Sequence, residues 1–88
     1  MVFQEVTIKN RAGIHARPAS MLVQKASQFD AEIYIQKEND KINAKSIMGV
    51  LALGATYKTK LQIITEGEEE QQALEAIVEL FENRFEEE

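Results

Sequence analysis

The chain has 88 residues, 44% of them hydrophobic, and a formal net charge of −5. A chain of this length builds one small core, so we expect a single domain over residues 1–88 without the substrate cleft of a typical enzyme. Its lack of cysteine and its single histidine exclude disulfides, thiolate chemistry and zinc sites with cysteine or several histidine ligands, and we expect neither a metal nor a cofactor.

The first third of the chain predicts a strand, a turn and a helix. Val2, Val6 and Ile8 occupy even positions among polar neighbours, which is typical of a half-buried strand over residues 2–8. Residues 10–13, Asn-Arg-Ala-Gly, predict a turn. A helix over residues 16–27 follows, with its start near His15 because Pro18 suits a first helical turn. The apolar residues of this helix recur at helical spacing at Ala19, Leu22, Val23 and Ala26.

The middle of the chain predicts a hairpin and a short helix. Ile33 and Ile35 alternate with polar residues, and a polar break at residues 38–40 separates them from residues 41–44, which indicates a hairpin with a polar tip. Ser46 then precedes the mostly apolar residues 47–53, which Gly54 closes. Serine favours the helix N-cap and glycine favours the position after a helix end, so we predict a helix of about two turns here.

The last third predicts a strand over residues 60–65 and a final helix that extends to Phe85. Its apolar residues recur at helical spacing at Leu74, Ile77, Val78, Phe81 and Phe85. Residues 66–88 contain ten glutamates and one arginine, a net charge of −9, whereas residues 1–65 contain nine basic and five acidic side chains, a net charge of +4. We interpret the glutamate-rich end as a solvated helix face followed by a frayed tail.

The order strand, helix, strand, strand, helix, strand, helix predicts an α+β fold with helices on one face of an antiparallel sheet. Residues 1–5 lack the charged and apolar regions of a secretory signal, and no apolar run reaches the roughly 20 residues that span a bilayer. We therefore expect a cytoplasmic protein without membrane insertion. The basic residues form no stacking platform with aromatic ones, so we expect no direct binding of nucleic acid.

His15 is the candidate nucleophile. A lone histidine in a small domain is most often structural, but this one follows a glycine-containing turn and opens a helix that carries Arg17. The free N–H groups of Ala16 and Arg17, together with the guanidinium, predict an anion site, to which Pro18 adds no donor. The same positive charges favour a neutral ring, one nitrogen of which is then free to attack phosphorus.

Two segments carry a resemblance to a known family. They are residues 12–20, Ala-Gly-Ile-His-Ala-Arg-Pro-Ala-Ser, and residues 45–54, Lys-Ser-Ile-Met-Gly-Val-Leu-Ala-Leu-Gly. The first resembles the phosphorylation-site signature of the HPr family, the histidine-containing phosphocarriers of the bacterial sugar phosphotransferase system. The second is similar to the regulatory-serine region of that family in Gram-positive bacteria. The similarity in layout extends over about residues 2–85.

The resemblance implies a fold and a reaction. The fold is an open-faced β-sandwich of four antiparallel strands backed by three helices. His15 matches the histidine that accepts a phosphoryl group on Nδ1 from phosphorylated enzyme I and passes it to the IIA domains of sugar permeases, and Arg17 matches the arginine that assists. Many relatives carry a hydrogen-bonding side chain at the position of Ala12. Its absence here leaves phosphate stabilisation to Arg17 and the backbone amides.

Ser46 has two interpretations. One is a plain helix N-cap. The resemblance implies the other, in which HPr kinase/phosphorylase phosphorylates Ser46 and the product acts as corepressor for the catabolite control protein in carbon catabolite repression. The added charge would block enzyme I and create a contact for the regulator.

We also predict a docking patch for the partner proteins. In a two-turn helix, Met48 and Leu51 lie about 100° from the row that contains Ile47, so both rows cannot be buried on one side. On the first helix, we expect Met21 to be exposed beside Arg17. The predicted patch comprises Ser20, Met21, Gln24, Ile47, Met48 and Leu51.

Two alternatives remain beside the phosphocarrier. One is a regulatory relative that works mainly through Ser46, and the other is a small interaction module without phosphotransfer. In the favoured interpretation the chain is a monomer that is consumed and regenerated as a phosphoryl acceptor and donor, so it is not an enzyme in the usual sense.

Overall fold

Four strands form one antiparallel sheet in this computed structural model, which describes residues 1–87. They are β1 (Val2–Thr7), β2 (Glu32–Lys37), β3 (Asp40–Asn43) and β4 (Lys60–Glu66), and their order across the sheet is β1-β4-β2-β3. Strands β2 and β3 form the predicted hairpin, whereas β1, the first in the chain, pairs with β4, the last. The sheet therefore places the first and the last strand side by side.

The two faces of the sheet differ in burial, as the alternating sequence predicts. Val6 lies opposite Leu61, and Ile35 lies opposite Ile63, and each of these four side chains is at most 2% exposed. On the other face Phe3 is 59% exposed. An antiparallel sheet with this pattern packs one face on a core and leaves the other in water.

Three helices complete the fold, namely α1 (Ala16–Ala26), α2 (Ile47–Ala52) and α3 (Glu70–Glu82), and α1 contacts both others. Their buried residues are Pro18, Ala19, Leu22 and Ala26 in α1, Val50 in α2, and Ala73, Leu74, Ile77 and Phe81 in α3. Burying one leucine or isoleucine side chain contributes about 1.5–3 kcal/mol. The predicted open-faced β-sandwich of the α+β class is confirmed. Within residues 1–87, no helix combines the length and apolar composition needed to cross a membrane.

The end of α3 differs from the prediction. The helix ends at Glu82 and does not continue to Phe85, because Arg84, Phe85 and Glu86 have φ angles of 56°, 51° and 64°. Non-glycine residues in this left-handed region cost roughly 1–2 kcal/mol each. Phe85 is nevertheless fully buried and packs edge-on against Phe81, with ring centroids 4.9 Å apart. Burial of this ring holds the turn, which sends the last residues back over the molecule.

The loop before α1 is fixed by a close approach between two backbone segments. Gly13 has a φ of 73°, and its N–H donates to the Asn10 carbonyl oxygen at 3.1 Å. A Cβ atom at Gly13 would lie 2.8 Å from the carbonyl oxygen of Ala55, to which the Ile14 N–H donates at 3.0 Å. Only glycine satisfies both the conformation and the distance.

Replacement of Gly13 by alanine is therefore expected to lower the free energy of unfolding by about 2–4 kcal/mol, since a strained φ and a steric clash add together. Gly54→Ala is the matched control, because Gly54 also has a positive φ, 62°, but a Cβ atom there would have its nearest neighbour at 4.0 Å. Urea denaturation measures both. Equal losses in the two variants would contradict the role given to the Ala55 contact.

Glu70 carries a pH-dependent contact at the start of α3. Its carboxylate accepts a hydrogen bond from the Gly67 N–H at 3.1 Å and one from the N-terminal ammonium group of Met1 at 3.3 Å. The Gly67 hydrogen bond, followed by that of the ammonium group, holds the pKa of Glu70 below its usual value. Because this pKa is lower in the folded chain than in the unfolded one, the contact stabilises above the unfolded pKa and is lost as the pH falls through the folded pKa.

We expect Glu70→Gln to lower the thermal midpoint at pH 7, and this difference from the wild type to shrink as the pH falls from about 5 to about 3. Glu79→Gln, on an exposed position of the same helix, controls for the loss of a negative charge. Calorimetry across this pH range measures the effect. A difference between Glu70→Gln and wild type that stays constant with pH would contradict it.

Candidate functional site

His15 stands at the junction between the loop and α1. It is the N-cap residue of α1, with φ −94° and ψ −166°, and its N–H donates to the Gly13 carbonyl oxygen at 3.1 Å. Its own carbonyl oxygen accepts from the Ala19 N–H at 3.0 Å, which closes the first helical turn. The side chain is 44% exposed. The backbone of His15 is thus fixed on both sides while its ring faces solvent.

Two backbone amides beside His15 are available to an anion. Ala16 and Arg17 are the first two residues of α1, so their N–H groups have no carbonyl oxygen one turn back in the helix. The third residue is Pro18, which is buried and has no N–H, so it shapes the helix start without donating. The Arg17 side chain is 59% exposed and adds a positive charge. These groups have the arrangement that the predicted anion site requires.

A carboxylate from the end of the chain already lies at this site. Glu87 Oε2 is 2.9 Å from His15 Nε2 and 3.7 Å from Arg17 Nη1. Glu87 Oε1 accepts a hydrogen bond from Asn10 Nδ2 at 3.0 Å. The Glu87 side chain is only 17% exposed. Each oxygen of this carboxylate therefore has its own partner, Asn10 for Oε1 and His15 for Oε2.

The glutamate-rich end is a solvated helix face as predicted, since Glu75, Glu79 and Glu82 are exposed, but residues 84–87 do not form the predicted frayed tail. Besides the Glu87 contacts, Glu82 forms an ion pair with Lys9, which precedes the loop of the site. The left-handed turn at residues 84–86 and the burial of Phe85 bring the chain back toward α1. The acidic end is thus partly neutralised by the basic part of the chain. Glu88 lies outside the described residues.

Asn10 is a site residue that sequence reasoning missed. It is 1% exposed, and its Nδ2 donates to the Gly13 carbonyl oxygen at 2.7 Å as well as to Glu87. Its Oδ1 is buried without a hydrogen-bond partner among residues 1–87. The predicted turn at residues 10–13 could have indicated Asn10, because asparagine side chains often form hydrogen bonds with the backbone of their own turn. Ala12, exposed in the same turn, offers no side-chain donor.

The predicted docking patch is exposed on α2. Met48 is 73% exposed, and Ile47 and Leu51 are each 39% exposed, whereas Val50 is buried. On α1, Gln24 is exposed and its Nε2 lies 3.5 Å from Oγ of Ser20. These five residues of the patch are therefore accessible or partly accessible, as the amphipathic pattern predicts.

Met21 does not fit the predicted patch. It is half-buried rather than exposed, and it packs against the core. It lines a shallow pocket with residues of α1, with Leu80 of α3 and with Glu86 of the terminal turn. The reason is that α1 also packs on α3, so the row of α1 that contains Met21 is covered on that side. The helical spacing of α1 alone could not show whether this row faces solvent or α3.

Ser46 occupies the N-cap of α2. Its Oγ accepts a hydrogen bond from the Gly49 N–H at 3.1 Å, and the residue is exposed. The N-cap assignment from the sequence is confirmed. The exposed Ile47 and Met48 follow Ser46 directly.

The site as a whole suits nucleophilic chemistry on an anionic group. It has an exposed imidazole, two amide donors and a guanidinium, which together can bind the oxygens of a group attached to the ring. Among residues 1–87, no group of three or more histidine, aspartate or glutamate side chains has the arrangement of a metal site.

Comparisons with known proteins agree with this geometry. The family model described as "PTS HPr component phosphorylation site" matches residues 2–83. The chain is 50% identical over 88 residues to the phosphocarrier protein HPr of Treponema pallidum, covering 100% of both chains. It is 45% identical over 78 residues to the HPr-like protein Crh of Halalkalibacterium halodurans, covering 89% of this chain and 93% of the relative.

Among solved structures, HPr-C-His from Thermoanaerobacter tengcongensis has a TM-score of 0.96 with this chain at 44% identity. That match covers 100% of this chain and 99% of the other. Sequence, fold and site lead to the same conclusion: the chain belongs to the HPr family, the phosphocarrier proteins of the phosphotransferase system.

Proposed function

We propose that His15 accepts a phosphoryl group on Nδ1 from phosphorylated enzyme I and passes it to the IIA domains of sugar permeases. The observation that carries this proposal is the position of His15, a solvent-facing ring at a helix start beside two free amides and Arg17. The chain itself is changed and restored in each cycle. It acts as a covalent intermediate between two other proteins and not as an enzyme in the usual sense.

The transfer needs only groups that this chain and its partner supply. The lone pair of Nδ1 attacks phosphorus, the bond from phosphorus to the donor atom of enzyme I breaks, and its electron pair stays on that atom. The N–H groups of Ala16 and Arg17 and the guanidinium face the charge that develops on the phosphoryl oxygens. Arg17 Nη1 lies 3.7 Å from Glu87 Oε2, beyond hydrogen-bond distance, and the Arg17 side chain is 59% exposed. It therefore turns to phosphoryl oxygens at little cost.

The exposed apolar side chains of α2 support a role in docking. Ile47, Met48 and Leu51 offer an apolar surface that enzyme I and the IIA domains would cover. Methionine is unbranched and polarisable, so it adapts to partners of different shape. Ser20 and Gln24 of α1 would supply the polar contacts around it. We propose that the chain works as a monomer in the cytoplasm, where these partners reach it in turn.

Ser46 supports a regulatory role in the same proposal. Phosphorylation of its hydroxyl by HPr kinase/phosphorylase would add about −1.5 to −2 charges directly before Ile47 and Met48. Burial of these side chains in enzyme I would then require burial of that charge as well, which is unfavourable. The same charge would offer a contact to the catabolite control protein. A purely regulatory relative acting through Ser46 is the second candidate, favoured by the likeness to Crh of Bacillus subtilis, which is described as a catabolite repression HPr.

The carrier function predicts an acid-labile phosphate on His15 when the protein is incubated with phosphoenolpyruvate and enzyme I. His15→Ala is expected to take up none. Arg17→Ala is expected to slow labelling at least about tenfold, since it removes a donor to the transferring group. Arg11→Ala, an exposed arginine of the same loop that lies over Tyr57, should leave the rate unchanged. Absence of label on the wild type, or full label on His15→Ala, would overturn the proposal.

The regulatory role predicts a second, acid-stable phosphate. With ATP and the kinase, wild type is expected to be labelled and Ser46→Ala is not, while Ser46→Ala still accepts phosphate on His15. Ser46→Asp should lower the rate of phosphorylation of His15 by enzyme I, because it adds a charge at the docking patch. Mass spectrometry and transfer assays measure these outcomes. If wild type is labelled by the kinase but never passes phosphate to a IIA domain, the purely regulatory alternative is correct.

A further inference from the structure

We propose that Glu87 is a positioning residue that keeps hydrogen on Nε2 of His15 and thereby leaves Nδ1 as the nucleophilic nitrogen. This inference rests on the proposed transfer to Nδ1. Glu87 is 72 positions from His15 in the sequence, but in the fold its Oε2 lies 2.9 Å from Nε2 of the ring.

The direction of that hydrogen bond decides which ring nitrogen is free. An ionised carboxylate only accepts hydrogen bonds, so Nε2 must be the donor. A neutral imidazole carries one hydrogen, and when it resides on Nε2 the lone pair of Nδ1 is available. Among residues 1–87, Glu87 supplies the only side-chain hydrogen bond to the His15 ring.

The carboxylate is itself held in place. Its second oxygen accepts from Asn10 Nδ2 at 3.0 Å, and the same Nδ2 donates to the Gly13 carbonyl oxygen at 2.7 Å. Asn10 is 1% exposed, so this support is shielded from water. The His15 ring is thus bound by a carboxylate, which is in turn bound by a buried amide. A carboxylate or carbonyl group commonly orients a functional histidine in this way.

The backbone of the chain end also favours this arrangement. Three successive non-glycine residues, Arg84, Phe85 and Glu86, have positive φ angles, which such residues seldom adopt. Phe85 is fully buried against Phe81 and holds the turn in this form. Glu87 follows immediately, so its contact with His15 comes from an anchored segment.

Glu87 also fits the charge changes of the transfer. When Nδ1 forms its bond to phosphorus and the donor atom of enzyme I keeps the electron pair of the broken bond, Nε2 keeps its hydrogen. The ring of His15 then carries a positive charge, and the carboxylate of Glu87 lies beside it at Nε2. Onward transfer reverses these steps and returns the neutral ring with its hydrogen still on Nε2. The Arg17 guanidinium meanwhile binds the phosphoryl oxygens.

The test uses full-length protein with ¹⁵N-labelled histidine. The nitrogen shifts of the His15 ring distinguish the two neutral tautomers at a pH where the ring is uncharged. We expect wild type and Glu86→Ala, the matched control at an exposed neighbour, to have hydrogen on Nε2. Glu87→Ala should show averaged shifts from a mixture of tautomers.

Transfer from enzyme I gives the second measurement. Glu87→Ala is expected to be about tenfold slower than Glu86→Ala, the loss of one hydrogen bond to a charged group. Glu87→Gln should also be slower, since its amide has one oxygen for the two donors His15 Nε2 and Asn10 Nδ2 and carries no negative charge. Identical tautomers and rates in Glu87→Ala and Glu86→Ala would overturn the inference, and so would a faster Glu87→Ala, which would make Glu87 a competitor of phosphate. An unlabelled wild type would instead refute the proposed carrier function, whatever the tautomer.

Discussion

The close approach of Gly13 to the backbone of Ala55 is the constraint on which the site depends. It fixes the loop between β1 and α1, and the Gly13 carbonyl oxygen accepts hydrogen bonds both from the His15 N–H and from Asn10 Nδ2. The ring of His15, the free amides at the start of α1 and the support for Glu87 all follow from this one loop. A side chain at position 13 would displace them together.

The molecule separates the parts that hold its shape from the parts that meet partners. The core between sheet and helices consists of aliphatic residues and two phenylalanines, and it contains none of the groups placed in transfer. His15, Arg17 and the exposed residues of α2 lie at the surface. A phosphocarrier must present its nucleophile to several proteins, so an enclosed pocket would hinder it. The small size of the chain suits this task, because it requires one nucleophile, one anion site and one apolar patch.

Much of the fold could be predicted from the sequence because local patterns determine it. The alternation in β1 and β2, the serine before α2 and the proline in the first turn of α1 all correspond to physical preferences within a few residues. His15, Arg17 and Ser46 were identified from motifs of the same short range. The structure places His15 and Arg17 at one site and Ser46 at the N-cap of α2.

The errors came from contacts that no local pattern contains. Helical spacing continued α3 to Phe85, but burial of that ring is achieved through a left-handed turn instead. The same turn places Glu87 beside His15. A count of charges, which separates an acidic end from a basic body, could not predict this contact. Helical spacing in α1 predicts an exposed Met21, because the residues that cover it belong to α3 and the terminal turn. Each error concerns how distant segments pack.

The central claim is that Nδ1 of His15 carries the phosphoryl group while Nε2 keeps its hydrogen beside Glu87. The most direct measurement is an NMR experiment on the phosphorylated protein, with ¹⁵N-labelled histidine, that detects coupling between phosphorus and each ring nitrogen. We expect coupling of phosphorus to Nδ1 and a hydrogen attached to Nε2. Coupling to Nε2, or phosphate from enzyme I on any residue other than His15, would contradict it.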